Sequence, residues 1–87
     1  MMSSPVNAKS PGQKEALRVL RTGERFLMLE RYEEAVEKFI EAKNAFEKEN
    51  FKPGIQVALK DLTLAYRFLE DWETAEHYRR QLAQESP

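Results

Sequence analysis

In Arg31-Tyr-Glu-Glu-Ala-Val-Glu-Lys-Phe-Ile-Glu-Ala-Lys-Asn-Ala-Phe46 the apolar residues Tyr32, Ala35, Val36, Phe39, Ile40, Ala42 and Phe46 return at steps of three and four. That spacing predicts one apolar stripe on a helix. Glu33, Glu34, Glu37, Lys38, Glu41 and Lys43 fill the opposite, solvated face. Ala35 and Ala42 lie within the stripe, where their small side chains let a neighbouring helix approach closely. The stretch reads as the second helix of a packed helical hairpin, running from about Tyr32 to Lys48.

The sequence on either side supplies partners for that helix. Upstream, Ala16, Leu17, Val19, Leu20, Phe26, Leu27, Met28 and Leu29 predict a helix from about Gln13 to Leu29, with Ser10 as its cap and Pro11 an early helical residue. Gly23 falls inside it. A mid-helix glycine costs about 1 kcal/mol against alanine, so a close helix contact is expected there. Glu30-Arg31 is a very short turn, which makes the first two helices antiparallel. Downstream, Pro53-Gly54 in Asn50–Gly54 is the clearest breaker in the chain. A third helix is expected over about Ile55 to Leu69, with Ile55, Ala58, Leu59, Leu62, Ala65, Tyr66 and Leu69 inward. Glu70-Asp71 repeats the tight turn. A fourth helix then carries Trp72, Ala75, Tyr78 and Leu82 on one stripe and ends near Gln84. The expected domain spans 13–87, with hairpins at 13–49 and 55–85, preceded by a disordered tail over 1–12.

Composition limits the chemistry. The 87 residues form one small domain, near the size at which burial only just offsets chain entropy. Fourteen basic against fifteen acidic side chains leave a net charge of −1, with no global field to attract nucleic acid and no polybasic signature for a membrane. There is no cysteine, so disulfides, thiolate nucleophiles and cysteine-based zinc sites are excluded. The longest apolar runs, such as Phe26–Leu29, are far too short to span a bilayer, and the first ten residues do not read as a signal peptide. A cytoplasmic protein is expected. His77 is the single histidine, on a surface helix position; Gly12, Gly23 and Gly54 are isolated and form no phosphate loop; the glutamate run beside Lys38 reads as a solvated face with supporting ion pairs. No catalytic residue, cofactor or metal site is expected. Arg18, Arg21 and Arg25 lie three and four apart on the first helix, in reach of Glu15 and Glu24 for salt bridges; their functional alternative is to hold an acidic peptide segment.

The chain repeats itself. A shift of forty residues lays Phe26 on Tyr66, Leu29 on Leu69, Tyr32 on Trp72, Ala35 on Ala75 and Ala42 on Leu82. This pattern resembles the tetratricopeptide repeat. Val19, Thr22-Gly23, Phe26, Tyr32, Ala35, Phe39 and Ala42 fill that family's places in the first unit; Leu59, Leu62-Thr63, Tyr66, Trp72, Ala75 and Pro87 do so in the second. Thr22 replaces the usual leucine, Thr63 the small glycine, and Arg79 stands where an aromatic is expected, with neighbouring Tyr78 placed to cover the gap. The resemblance spans roughly Ala16 to Pro87. It implies an all-α fold, a right-handed superhelix of two antiparallel hairpins, and a non-enzymatic protein-interaction module. The polar outer side of the fourth helix (Glu73, Glu76, His77, Arg80, Gln81, Gln84) suits a cap.

In that family the first helix of each unit lines a groove that holds a peptide or helix of another protein. By resemblance the partner-binding residues here are Leu20, Glu24, Leu27 and Met28 with Lys60, Leu64, Arg67 and Phe68, and Leu17 and Val57 alongside. Leu20 and Glu24 stand at first-unit places where the family's chaperone-tail binders carry groups of a carboxylate clamp, which argues against such a clamp. Two further readings remain. Tyr32–Phe39 is also similar to the second helix of the MIT family, which predicts a three-helix adaptor without a break near Glu70-Asp71. Alternatively Met28, Leu64 and Phe68 bury a homodimer interface.

Overall fold

The computed structural model describes residues 7–85 and contains four helices: α1 (Pro11–Met28), α2 (Tyr32–Lys48), α3 (Lys52–Phe68) and α4 (Trp72–Glu85). The fold is all-α. Four helices with a break at Glu70-Asp71 set aside the three-helix reading. The tail expected over 1–12 is partly helical, because Pro11 and Gly12 open α1; residues 1–6, and Ser86 and Pro87 with them, lie outside the described residues.

Local chemistry starts each helix. At α1 the Ser10 hydroxyl accepts from the Gln13 amide at 3.1 Å while the Gln13 side chain accepts from the Ser10 amide, a reciprocal capping box. The same hydroxyl donates to Glu49 at 3.1 Å, tying the start of α1 to the end of α2. At α4 the Asp71 carboxylate accepts from the Thr74 amide at 3.3 Å. Pro53 and Gly54 were expected in the loop, yet both belong to the first turn of α3. Proline is tolerated there because a first-turn amide has no carbonyl partner to lose.

The three turns are copies of one another. Glu30, Asn50 and Glu70 adopt left-handed φ values of 62°, 53° and 61°. The following amides of Arg31, Phe51 and Asp71 donate back to the carbonyls of Phe26, Phe46 and Tyr66 at 2.9, 3.0 and 2.9 Å. The amides of Glu30, Asn50 and Glu70 donate to Leu27, Glu47 and Arg67, completing a Schellman closure each time. An aromatic ring at the first of these carbonyls meets the residue that leaves the turn: Arg31 lies 5.1 Å over Phe26, and Phe51 packs 5.7 Å from Phe46. The forty-residue echo in side chains is therefore a twenty-residue echo in backbone, one helix and one turn at a time.

Each helix packs on the next, and α1 also touches α3, so α1 and α3 run side by side in the same direction with α2 laid against both. Phe39 and Phe46 of α2, both fully buried, are the centre of this arrangement. Each fits over a glycine of a neighbouring helix: a Cβ on Gly23 of α1 would lie 2.7 Å from the Phe39 ring, and one on Gly54 of α3 would overlap the Phe46 ring. Ala16, Leu20, Ala35, Val36, Ala42, Ile55, Ala58, Leu59, Leu62 and Ala65 complete the core.

The second hairpin is looser, for the reason visible in its sequence. Arg79, at the place of Phe39, is exposed and bound to Glu76 through two bonds of 2.8 and 2.7 Å. Thr63 and Arg79 thus leave a shallow pocket, shared with Arg67, Trp72, Ala75 and Glu76, where Gly23 and Phe39 close together in the first hairpin. Tyr78 packs instead on Tyr66, rings 5.8 Å apart. Trp72, expected on the inner stripe of α4, is 63% exposed, and Ala75 is the one fully enclosed side chain of that helix.

Candidate partner-binding groove

Parallel packing of α1 and α3 leaves a strip of surface between them that α2 does not cover. Successive helical residues turn by about 100°, so Met28 and Leu17 of α1 and Val57, Leu64 and Phe68 of α3 come to this strip beside the buried stripes of their own helices. Met28 is 75% exposed, Phe68 51% and Leu64 40%, whereas Leu17 and Val57 are half-buried against the core. Phe68 is held in place from below: the Tyr32 ring of α2 stacks on it at 5.1 Å and 11°. A stacked ring exposes a firm apolar face at little further entropic cost.

The residues expected to meet a partner divide cleanly. Met28, Lys60, Leu64, Arg67 and Phe68 are exposed on the strip and its banks. Leu27 is half-buried and packed on the core. Leu20 is a correction: it is fully buried and belongs to the core, because its place on α1 points between α2 and α3. Glu24 is half-buried, and its position is the main electrostatic feature of the groove.

Glu24 was expected to pair with an arginine of its own helix. Arg18 does bond Glu15, at 2.9 Å, but Glu24 faces Asp61 across the α1–α3 seam. Oε1 of Glu24 and Oδ2 of Asp61 are occluded from solvent without a hydrogen-bond donor. Two ionised carboxylates supply no donor to each other, so a shared proton satisfies both. Burial is the main cause that pushes the Asp61 carboxyl up to about 8; the hydrogen bond to Glu24 and its negative charge act in the same direction, and nearby Lys60 opposes them. Residue spacing does not single out Asp61, although the forty-residue shift aligns it with Arg21, one turn from Glu24.

Basic side chains flank the strip on both sides. Arg21 and Arg25 stand with Glu24 and Met28 on α1, and Lys60 and Arg67 with Asp61 and Leu64 on α3. Among the described residues no carboxylate lies within 4.0 Å of any of these four cations. By contrast most cations of α2 and α4 are engaged, all but Lys48: Lys38 with Glu41, Lys43 with Glu47, and Arg79 and Arg80 with Glu76.

Among the described residues no three histidine, aspartate or glutamate side chains converge as metal ligands, and no helix is long and apolar enough to cross a membrane. Comparison of the chain with protein-family models, with curated proteins and with solved structures finds no match in any of the three.

Proposed function

We propose that the protein is a non-enzymatic interaction module of tetratricopeptide-like design, an adaptor that holds a peptide or helix of a partner protein along the α1–α3 groove. The observation that carries this reading is the exposure of the large apolar side chains Met28 on α1 and Leu64 and Phe68 on α3, two helices in contact with each other. Single exposed apolar residues are ordinary on protein surfaces; three on two neighbouring helices, one braced by a stacked ring, support a docking surface. The residue pattern that resembles the tetratricopeptide repeat supports the same assignment, with the first helix of each hairpin facing the ligand. Such a strip suits an amphipathic helix or an extended peptide with spaced apolar anchors.

The test is truncation of the strip. Leu64→Ala with Phe68→Ala should abolish capture of partner proteins from an extract while circular dichroism shows unchanged helicity. Undiminished capture by the folded double variant would remove the groove from consideration. A second reading, favoured by the same exposed residues, is burial of the strip in a homodimer; sedimentation over a range of concentrations tests it, and a monomer throughout rules it out.

A further inference from the structure

Charge is sorted by helix in this chain. α1 carries four basic residues (Lys14, Arg18, Arg21, Arg25) against two acidic, and α3 three (Lys52, Lys60, Arg67) against one. α2 carries three basic against five acidic, and α4 two against three. The near-zero net charge of the whole chain hides this dipolar arrangement, because the two basic helices are the two that lie side by side. Of the three carboxylates on α1 and α3, Glu15 is already bound by Arg18. The other two, Glu24 and Asp61, turn toward each other across the α1–α3 seam, with Oε1 and Oδ2 occluded from solvent.

From this sorting we infer that the occupant of the groove is an acidic amphipathic segment of another protein, its apolar residues seated on Met28, Leu64 and Phe68 and its carboxylates facing Arg21 and Arg25 on one bank and Lys60 and Arg67 on the other. The inference rests on the groove reading above and adds the chemistry of the ligand. The four cations have no intramolecular carboxylate to surrender, so a ligand carboxylate forms its ion pair without first breaking another. The apolar strip between them separates this ligand class from nucleic acid, which would need aromatic stacking faces along a continuous basic track. It also disfavours a second copy of this chain in the same register, since that would bring two basic banks face to face.

The probe is a display library of random peptides of roughly 16 residues, about the length a helix needs to span α1. Enriched peptides should be strongly acidic with apolar residues at steps of three and four. A synthetic peptide of the consensus, followed by fluorescence anisotropy, should bind at least about tenfold more weakly to Arg21→Glu/Arg25→Glu and to Lys60→Glu/Arg67→Glu. Its affinity should fall several-fold between about 50 and about 300 mM salt. Either charge-reversed chain, folded by circular dichroism, suffices for the comparison. Enrichment of neutral or basic peptides that Leu64→Ala/Phe68→Ala releases but charge reversal does not would overturn the acidic assignment and leave the groove standing. No enrichment, or enrichment indifferent to the truncated strip, would overturn both. Tighter binding of a single-stranded oligonucleotide than of any selected peptide, or dimerisation abolished by Phe68→Ala, would assign the groove to another occupant and overturn the inference.

Discussion

Gly23→Ala sets local preference against tertiary packing and gives them opposite signs. Gly23 lies in the interior of α1, where alanine is favoured over glycine by about 1 kcal/mol. On helix propensity alone the substitution stabilises. In the folded protein the new methyl would stand 2.7 Å from two carbons of the Phe39 ring and 3.1 Å from the Lys38 Cβ, against an ordinary contact of 3.4–4 Å. Phe39 is fully buried between α1 and α2, so its ring has no solvent side into which to move. Overpacking a close-packed site of this kind costs about 1–3 kcal/mol. The two effects sum to a net loss of about 1 kcal/mol, which for a domain of this size lowers the melting temperature by roughly 4–8 °C. Thermal and urea unfolding followed by circular dichroism measure it directly. The attribution to the ring is tested by repeating the substitution in a Phe39→Leu background, where the smaller side chain relieves the overlap and the sign should reverse. A coupling energy of about 1 kcal/mol or more in that cycle is expected. If Gly23→Ala raises the melting temperature of the otherwise unaltered chain, glycine is not there to admit Phe39, and the packing account of the first hairpin fails.

Other perturbations follow from the turns and the carboxyl pair. Glu30→Gly and Glu70→Gly replace residues held at left-handed φ values of 62° and 61°; relief of the Cβ penalty outweighs the extra freedom of the unfolded chain, so each should raise the urea midpoint by about 0.5–1 kcal/mol equivalent. Asp71→Ala removes the side-chain acceptor for the Thr74 amide, and a cap of that kind contributes about 1 kcal/mol to unfolding free energy. Asp61 takes up its proton near 3.8 when unfolded and near about 8 when folded. Between those values the folded state holds the extra proton, so stability should fall as pH rises from about 4 to about 8 and level off above. Asp61→Asn offers an amide donor to Glu24, removes most of that slope, and should be the more stable chain at pH 8, by on the order of 1–3 kcal/mol. Parallel stability–pH profiles for the two chains would show that the pair is not coupled across the seam.

The elements themselves could be read from residue spacing because each is decided within a few residues. The stripe Tyr32–Phe46, the cap at Ser10 and the short turns at Glu30-Arg31 and Glu70-Asp71 all appear where periodicity and turn chemistry place them. The start of α3 did not, because Pro53-Gly54 is a breaker in most contexts and a first-turn pair in this one; Gly54 is placed there by the Phe46 ring, a residue of another helix. Trp72 shows the same limit from the other direction. Its spacing marks it as core, but the second hairpin has Arg79 in place of a filling aromatic, and the ring is left 63% exposed beside the shallow pocket there.

For the groove the division falls at a similar point. Periodicity assigns Met28, Leu64 and Phe68 to faces, and the forty-residue echo ranks α1 and α3 as equivalent helices. Only packing could decide that Leu20 turns inward while Glu24, one turn on, meets Asp61 across the seam. Only packing could turn Glu24 toward Asp61 and so leave Arg21 and Arg25 without it, while Lys38, Lys43, Arg79 and Arg80 found partners three or four positions away on their own helices. Helical spacing specifies which residues share a face of one helix, through interactions three or four positions apart. Which faces meet, and what charge they bring together, depends on contacts between residues on different helices. Those are set by the Phe39–Gly23 and Phe46–Gly54 fits, through which α2 holds α1 and α3 side by side.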